Sequence, residues 1–261
     1  MRSWAFPPET REVQFDETWS FVAKKEKNCD PDDPADAQKG DWWDHVGYDP
    51  EHRLVVSVVP GARNGENAEE VVADFKRRTG GRPMDLITSD EHRPYKEAMR
   101  QAYGVEATVT PSGLPVRAPR RVAPPKLCYA TVHKVRRLGR VTAIVIRLVF
   151  GTAALLAAAL KASRVSRAVN VSFLERQHLS DRHRNARKRR KTYCFSKRWE
   201  AHEAATYFTL CSYNFCWPVR TLRARSPDEP WQRRTPAMAA GLTDHVWSLA
   251  EWLRFSAVKR N

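Results

Sequence analysis

Acid is missing from the middle of this chain: between Ala107 and Leu174 there is no aspartate or glutamate, against twelve lysines and arginines. Such a stretch cannot neutralise itself, so its charge must be met by solvent, by acids elsewhere or by a polyanion. Paired cysteines are missing too. The five cysteines, at 29, 128, 194, 211 and 216, are odd in number and never spaced CxxC. That excludes a disulfide framework and a zinc ribbon and fits a reducing cytosol. Cys211 and Cys216, in the aromatic stretch TLCSYNFCW, are expected to be small buried residues. The opening MRSWAFPPETRE has no apolar h-region, so no signal peptide is expected. The most apolar run, Val141 to Leu160, is broken by Arg147 and Gly151 and turns from β-branched to alanine-rich midway. It predicts a strand followed by a helix rather than a membrane span.

What is present suffices for one sizeable core and a small appendage: 261 residues, 42% hydrophobic and 10% aromatic. The formal charge of +15 is unevenly spread, because residues 1–51 hold thirteen acids against six bases. Residues 176–191 carry eight basic side chains against Asp181 alone, and a nucleic-acid backbone is the partner such density suits.

Along the chain, Val13–Ala23 alternates as a strand. A polar acidic loop follows, then a hairpin of Asp44–Tyr48 and Arg53–Val59, the second strand a continuous apolar run. ENAEEVVADFKRRTGG repeats apolar residues at helical spacing and stops at Gly80-Gly81. Met84–Thr88 is a short buried strand, Pro94–Tyr103 a second helix, and Val105–Val109 a candidate fifth strand. The succession β-β-β-α-β is the order of a ribonuclease-H-like core, so the expected fold is α/β, a mixed sheet flanked by helices, covering residues 1–110 in its first part. Residues 111–126 are a proline-rich basic linker, expected to hold no regular structure. Residues 127–165, a long hairpin around Leu138-Gly139 and a helix, are expected to be an insertion ahead of a helix that starts near Ser172. Residues 166–217 complete the core with that helix and an aromatic-rich one, and residues 218–261 form a helical tail.

Three acids stand out against this background. Asp16 and Asp90 each sit at the end of a β-type apolar run, in VQFDETWSFV and MDLITSDEHRPY, and Glu175 ends the acid-free stretch in FLERQHLSDRHRNARKRRK. Hard oxygen ligands on neighbouring strands and a helix suit Mg²⁺ or Mn²⁺, and two such ions activate the nucleophile and stabilise the leaving oxygen in phosphodiester chemistry. Asp16 is expected to bridge two ions, with Asp90 and Glu175 holding one each. Arg182 lies seven residues after Glu175, two turns along one helix face, where a guanidinium would meet phosphate. His178 lies in the turn between. Arg176, Arg184, Arg187, Lys188, Arg189, Arg190 and Lys191 are expected to track the DNA backbone. Each acid pair, Asp16-Glu17 and Asp90-Glu91, also reads as ordinary strand-end polarity, and the basic block as a solvated face; it is their joint occurrence in order that favours a site.

The segments FDETWSFV, SDEHRPY, KLCYATVHKVRRLGRVTAIVIRLVFG and VNVSFLERQHLSDRHRNARKRRKTYCFSKRWEAHE resemble the insertion sequence 1 family of DDE transposases, across about residues 12–223. The patterns that carry the resemblance are DExW (Asp16 to Trp19), DxxxxY (Asp90 to Tyr95) and an ER pair with arginine at plus seven (Glu175, Arg176, Arg182). The resemblance implies Mg²⁺-dependent cutting of element ends and joining of the 3′-OH to target DNA. It also implies Asp16, Asp90 and Glu175 as the triad, Trp19, Tyr95 and His178 as supporting residues, and an oligomer assembled on DNA in the cytoplasm, at the nucleoid of a bacterium or archaeon. His178 stands where relatives usually have asparagine. Such transposases carry an amino-terminal zinc-binding and helix-turn-helix region, and fifteen residues precede Asp16 here, so the chain is expected to be the catalytic part alone. Two alternatives stay open: a DNA-binding remnant or inhibitor that does not cut, and a ribonuclease-H-type nuclease.

Overall fold

Alternation in β1 (Glu12–Val22) puts Gln14, Asp16 and Thr18 on one face of the strand and Val13, Phe15 and Glu17 on the other. That division decides which helices each acid meets. The computed structural model describes residues 8–109, 115–225 and 230–255. Within it β1 pairs antiparallel with β2 (Gly40–Asp49), and β2 with β3 (Leu54–Gly61). Helix α1 (Gly65–Arg78), capped by the Asn64 side chain accepting from the Asn67 amide, crosses over to β4 (Leu86–Asp90), which lies parallel to β1. Helix α2 (Pro94–Tyr103) opens on a proline, where the missing N–H costs nothing.

Two elements depart from the sequence-based expectation. Residues 115–122, inside the expected linker, form strand β6 (Pro115–Val122), which pairs antiparallel with β5 (Val105–Val109) in a separate two-stranded sheet. The long hairpin, β7 (Tyr129–Arg137) and β8 (Arg140–Phe150), is no insertion. It joins the main sheet, because β7 runs parallel to β4, giving the order β3-β2-β1-β4-β7-β8. Tyr129, Ala130, Thr131 and Val132 are all buried, as an interior parallel strand requires; β7 therefore takes the place expected of β5. Residues 111–114 of the expected linker, and 1–7, 226–229 and 256–261 of the first and last segments, lie outside the described residues.

The helices cover both faces of this mixed six-stranded sheet. On one, Phe15 meets Phe75 edge-on at 5.3 Å and Tyr95 at 5.8 Å, among Val71, Val72, Ile87 and Met99 of a cluster that α1 and α2 close. Truncating Phe15 to alanine would cost about 3–5 kcal/mol. On the other face lie α3 (Ala153–Ala162), α4 (Ser172–Arg184) and α5 (Trp199–Cys216), where Leu174, Leu210 and Tyr213 pack on Val46, Val55 and Val58. Asn214 of α5 accepts from the Val55 amide at 3.0 Å and donates to the Val55 carbonyl at 2.7 Å, closing part of the β3 edge. The tail adds two short helices, α6 (Pro236–Ala239) and α7 (Leu249–Arg254). No helix among the described residues is long and apolar enough to cross a membrane.

Candidate active site

Because β1 and β4 are parallel neighbours with Phe15 opposite Ser89, Asp16 and Asp90 stand side by side where β4 ends; β1 itself runs on to Val22, so Asp16 lies within its strand rather than at the strand end that the sequence suggested. Carboxylate oxygens of Asp16, Glu17 and Asp90 lie within 4.8 Å of one another. Glu17, one residue along the strand, points to the opposite face; its carboxylate is 2% exposed, takes the Arg63 guanidinium at 2.6 Å and accepts from the Tyr95 hydroxyl at 3.4 Å. Asp16 accepts from the Glu17 amide at 2.9 Å and faces α4, its Oδ2 3.5 Å from His178 Nε2. Asp90 accepts from the His92 amide at 3.0 Å and has Arg63 only at 3.8 Å. Burial, and then the charges of Glu17 and Asp16, push its carboxyl up to about 7, although the His92 amide and Arg63 pull the other way. Three hard oxygen donors gathered in so small a space, with Asp90 driven up beside the other two, are a set a divalent cation relieves, so the residues present fit one.

Glu175 is brought to the same place by a side chain of β1. Gln14, two residues before Asp16 on the same face, accepts from the Leu174 amide at 2.9 Å and donates to the Asn170 carbonyl at 2.8 Å. It thereby satisfies one of the orphan amides at the start of α4 and fixes that helix end on the central strand. The Glu175 carboxylate, 40% exposed, is held by the Lys134 ammonium of β7. It is outside the tight cluster of the other three acids, yet Asp16, Asp90 and Glu175 line one cavity of about 630 Å³ together with Arg63, Lys134 and Arg136.

The chain matches no known family model and no curated protein. What the site can do therefore rests on its own geometry. A cavity lined by four acids, Asp16, Asp90, Glu91 and Glu175, and by Arg63, Arg93, Lys134 and Arg136 suits a cation among its carboxylates and an anionic group beside its bases.

The basic run divides into exposed and buried members. Arg176, Arg187, Arg189, Arg190 and Lys191 are exposed. Lys188 is not available to DNA: helix α4 ends at Arg184, the Asn185 side chain caps a short turn, and Lys188 folds inward, 1% exposed, onto Asp44 at 2.7 Å and Asp181 at 3.1 Å. Two buried carboxylates without a cation would be far costlier than one buried lysine between them. Arg182 is half-buried and donates to Thr18 Oγ1 at 2.9 Å, and Arg184 stacks on Tyr213 and Trp217 at 4.3 and 4.6 Å. Of the supporting residues, Tyr95 and His178 touch the acids, whereas Trp19 packs on Phe21 at 5.9 Å, away from the cavity lining. Sequence reasoning passed over Glu17 as a donor, Arg63 and Lys134. The signal for Lys134 was periodicity: two residues past Val132, it shares that residue's face of β7.

Proposed function

We propose that this chain is the metal-dependent catalytic part of a DNA transposase, built on a ribonuclease-H-like core, that cuts element ends and joins them to target DNA. The observation that supports this most is the meeting of Asp16, Asp90 and Glu175, separated by up to 159 positions in sequence, around one cavity beside the end of β4. Asp16, Asp90 and Glu175 would hold Mg²⁺ or Mn²⁺, two ions in the full reaction, with Glu17 supporting them. Bound there, the ions would supply an activated oxygen nucleophile and stabilise the leaving oxygen. Lys134 and Arg63 orient the acids and lend positive charge where a scissile phosphate would sit, and Arg176, Arg187, Arg189, Arg190 and Lys191 offer exposed contacts for the DNA backbone. The β3-β2-β1-β4-β7 arrangement supports the ribonuclease-H-like assignment. In this reading the protein works in the cytoplasm, as an oligomer on DNA.

The test is strand nicking and joining on duplex DNA with Mn²⁺ or Mg²⁺. Wild type is expected to cut and D16N to be inactive; D16N cutting at the wild-type rate removes the assignment. One observation favours a second function, DNA binding without cutting: Glu175 is engaged by Lys134 rather than grouped with the other acids. Salt-sensitive DNA binding with no cutting in either metal would select it, and cleavage of RNA–DNA hybrids without joining would select a nuclease.

A further inference from the structure

Next to Asp16, one polar atom on α4 is left over. His178 Nε2 is buried and has no hydrogen-bond partner, although its residue is only 7% exposed. The nearest acid, Asp16 Oδ2, stands 3.5 Å away, a separation that suits two ligands sharing one ion rather than a hydrogen bond between them. A buried nitrogen without a partner calls for a physical reason. Helix geometry supplies the context. His178 follows Glu175 by three residues, so both project from one face of α4, and Glu-x-x-His is a spacing by which helices present a carboxylate and an imidazole to one metal centre. Across from that face, Asp16 is the acid that His178 approaches, and Asp16 in turn stands within 4.8 Å of Glu17 and Asp90, a group that His178 does not itself join.

Resting on the function proposed above, we propose that His178 is itself a ligand, so that the site is a mixed carboxylate–imidazole centre that takes Mn²⁺ in preference to Mg²⁺. Imidazole nitrogen suits transition-metal ions, whereas Mg²⁺ demands hard oxygen donors and releases its waters reluctantly. An asparagine at this position would offer an oxygen in place of the nitrogen. His178 thus sets which ion occupies the acids, not only where Asp16 points.

The experiment is pulsed electron paramagnetic resonance on the full chain loaded with Mn²⁺, with Mn²⁺ and competing Mg²⁺ titrated in parallel. Wild type is expected to show nitrogen modulation from one imidazole. H178N should lose the modulation and bind Mn²⁺ about tenfold more weakly, while its Mg²⁺ affinity moves less than twofold. Mn²⁺ bound by wild type without nitrogen modulation, or modulation that persists in H178N, overturns the ligand assignment and leaves the acid site standing; the wild-type spectrum decides this even if H178N fails to fold. No Mn²⁺ binding by wild type, or equal binding by wild type and D16N, overturns both this assignment and the acid site.

Discussion

Two aspartates, Asp44 buried on β2 and Asp90 half-buried at the end of β4, stand in opposite electrostatic conditions. Burial alone would raise Asp44, but the Lys188 ammonium at 2.7 Å and the neighbouring His202 hold it well below the usual carboxylate range. Thr206 Oγ1 adds a hydrogen bond at 3.2 Å, and Asp181 shares the lysine. Asp90 has no such partner; burial, Glu17 and Asp16 drive it up to about 7. The chain neutralises the first group by folding a lysine back into the interior, a structural device that pins the segment after α4 to β2. It leaves the second group short of positive charge at an accessible cavity. Under the function proposed above, the second place is the one kept for a cation from outside.

The sharpest way to break that contrast is to remove one charge at each site, an acid at the open one and the lysine at the neutralised one. D16N should lower metal-dependent strand cutting by on the order of 10³-fold while the chain stays folded, as read by cleavage assays beside circular dichroism. K188M acts in the other direction: it strands Asp44 and Asp181 without a counter-ion and should cost about 3–5 kcal/mol of stability, measured by urea denaturation. The triple variant K188M/D44N/D181N should regain most of that loss; if K188M alone is as stable as wild type, the buried network does not hold the fold.

A subtler contrast is in pH. An unfolded aspartate ionises near pH 3.9, whereas Asp90 in the fold ionises at about 7. Between those values the native state keeps a proton that the unfolded state has lost, so stability in the presence of a chelator should fall as pH rises from about 4 to 7 and level off above. D90N should remove that portion of the slope, and a wild-type difference profile identical to D90N would show Asp90 to be unperturbed. The smallest effect concerns DNA. Changing Arg189, Arg190 and Lys191 together to alanine should reduce the salt slope of DNA binding by at most about 2.7, roughly 0.9 per lost phosphate contact. By contrast K188M, where it folds, should leave that slope unchanged, because Lys188 never reaches solvent.

The parts of this molecule that local pattern controls were legible. Helix α2 spans Pro94–Tyr103 and strand β5 spans Val105–Val109, as the proline start and alternation predict. The apolar run 54–59 is a buried strand for the reason its continuity suggests. Long-range partners were not legible. Nothing local tells that Tyr129–Val132 pairs with Ile87–Asp90, so β7 read as an outlying hairpin when it is the strand that carries Lys134 to Glu175. Nor does a run of arginines and lysines tell that Lys188 turns inward, since the carboxylates that draw it there are at 44 and 181, one of them far away in sequence. In the site, Asp90 stands at the end of its strand as expected, whereas Asp16 lies within β1, because the strand continues past the apolar run that suggested its end. Glu17 read as ordinary strand polarity, yet its carboxylate reaches the same ion-sized space as those of Asp16 and Asp90.

The contrast between neutralised and open acids can be tested in one titration: the thermal midpoint of wild type and D90N, with and without Mn²⁺. Without metal, D90N is predicted to melt higher than wild type, because a repelled charge is gone; with Mn²⁺, wild type is predicted to gain stability and D90N to gain little. A D90N chain that melts lower in chelator and is stabilised by Mn²⁺ as much as wild type would contradict the account, because the acids beside the end of β4 would then be neither strained nor the place where a cation binds.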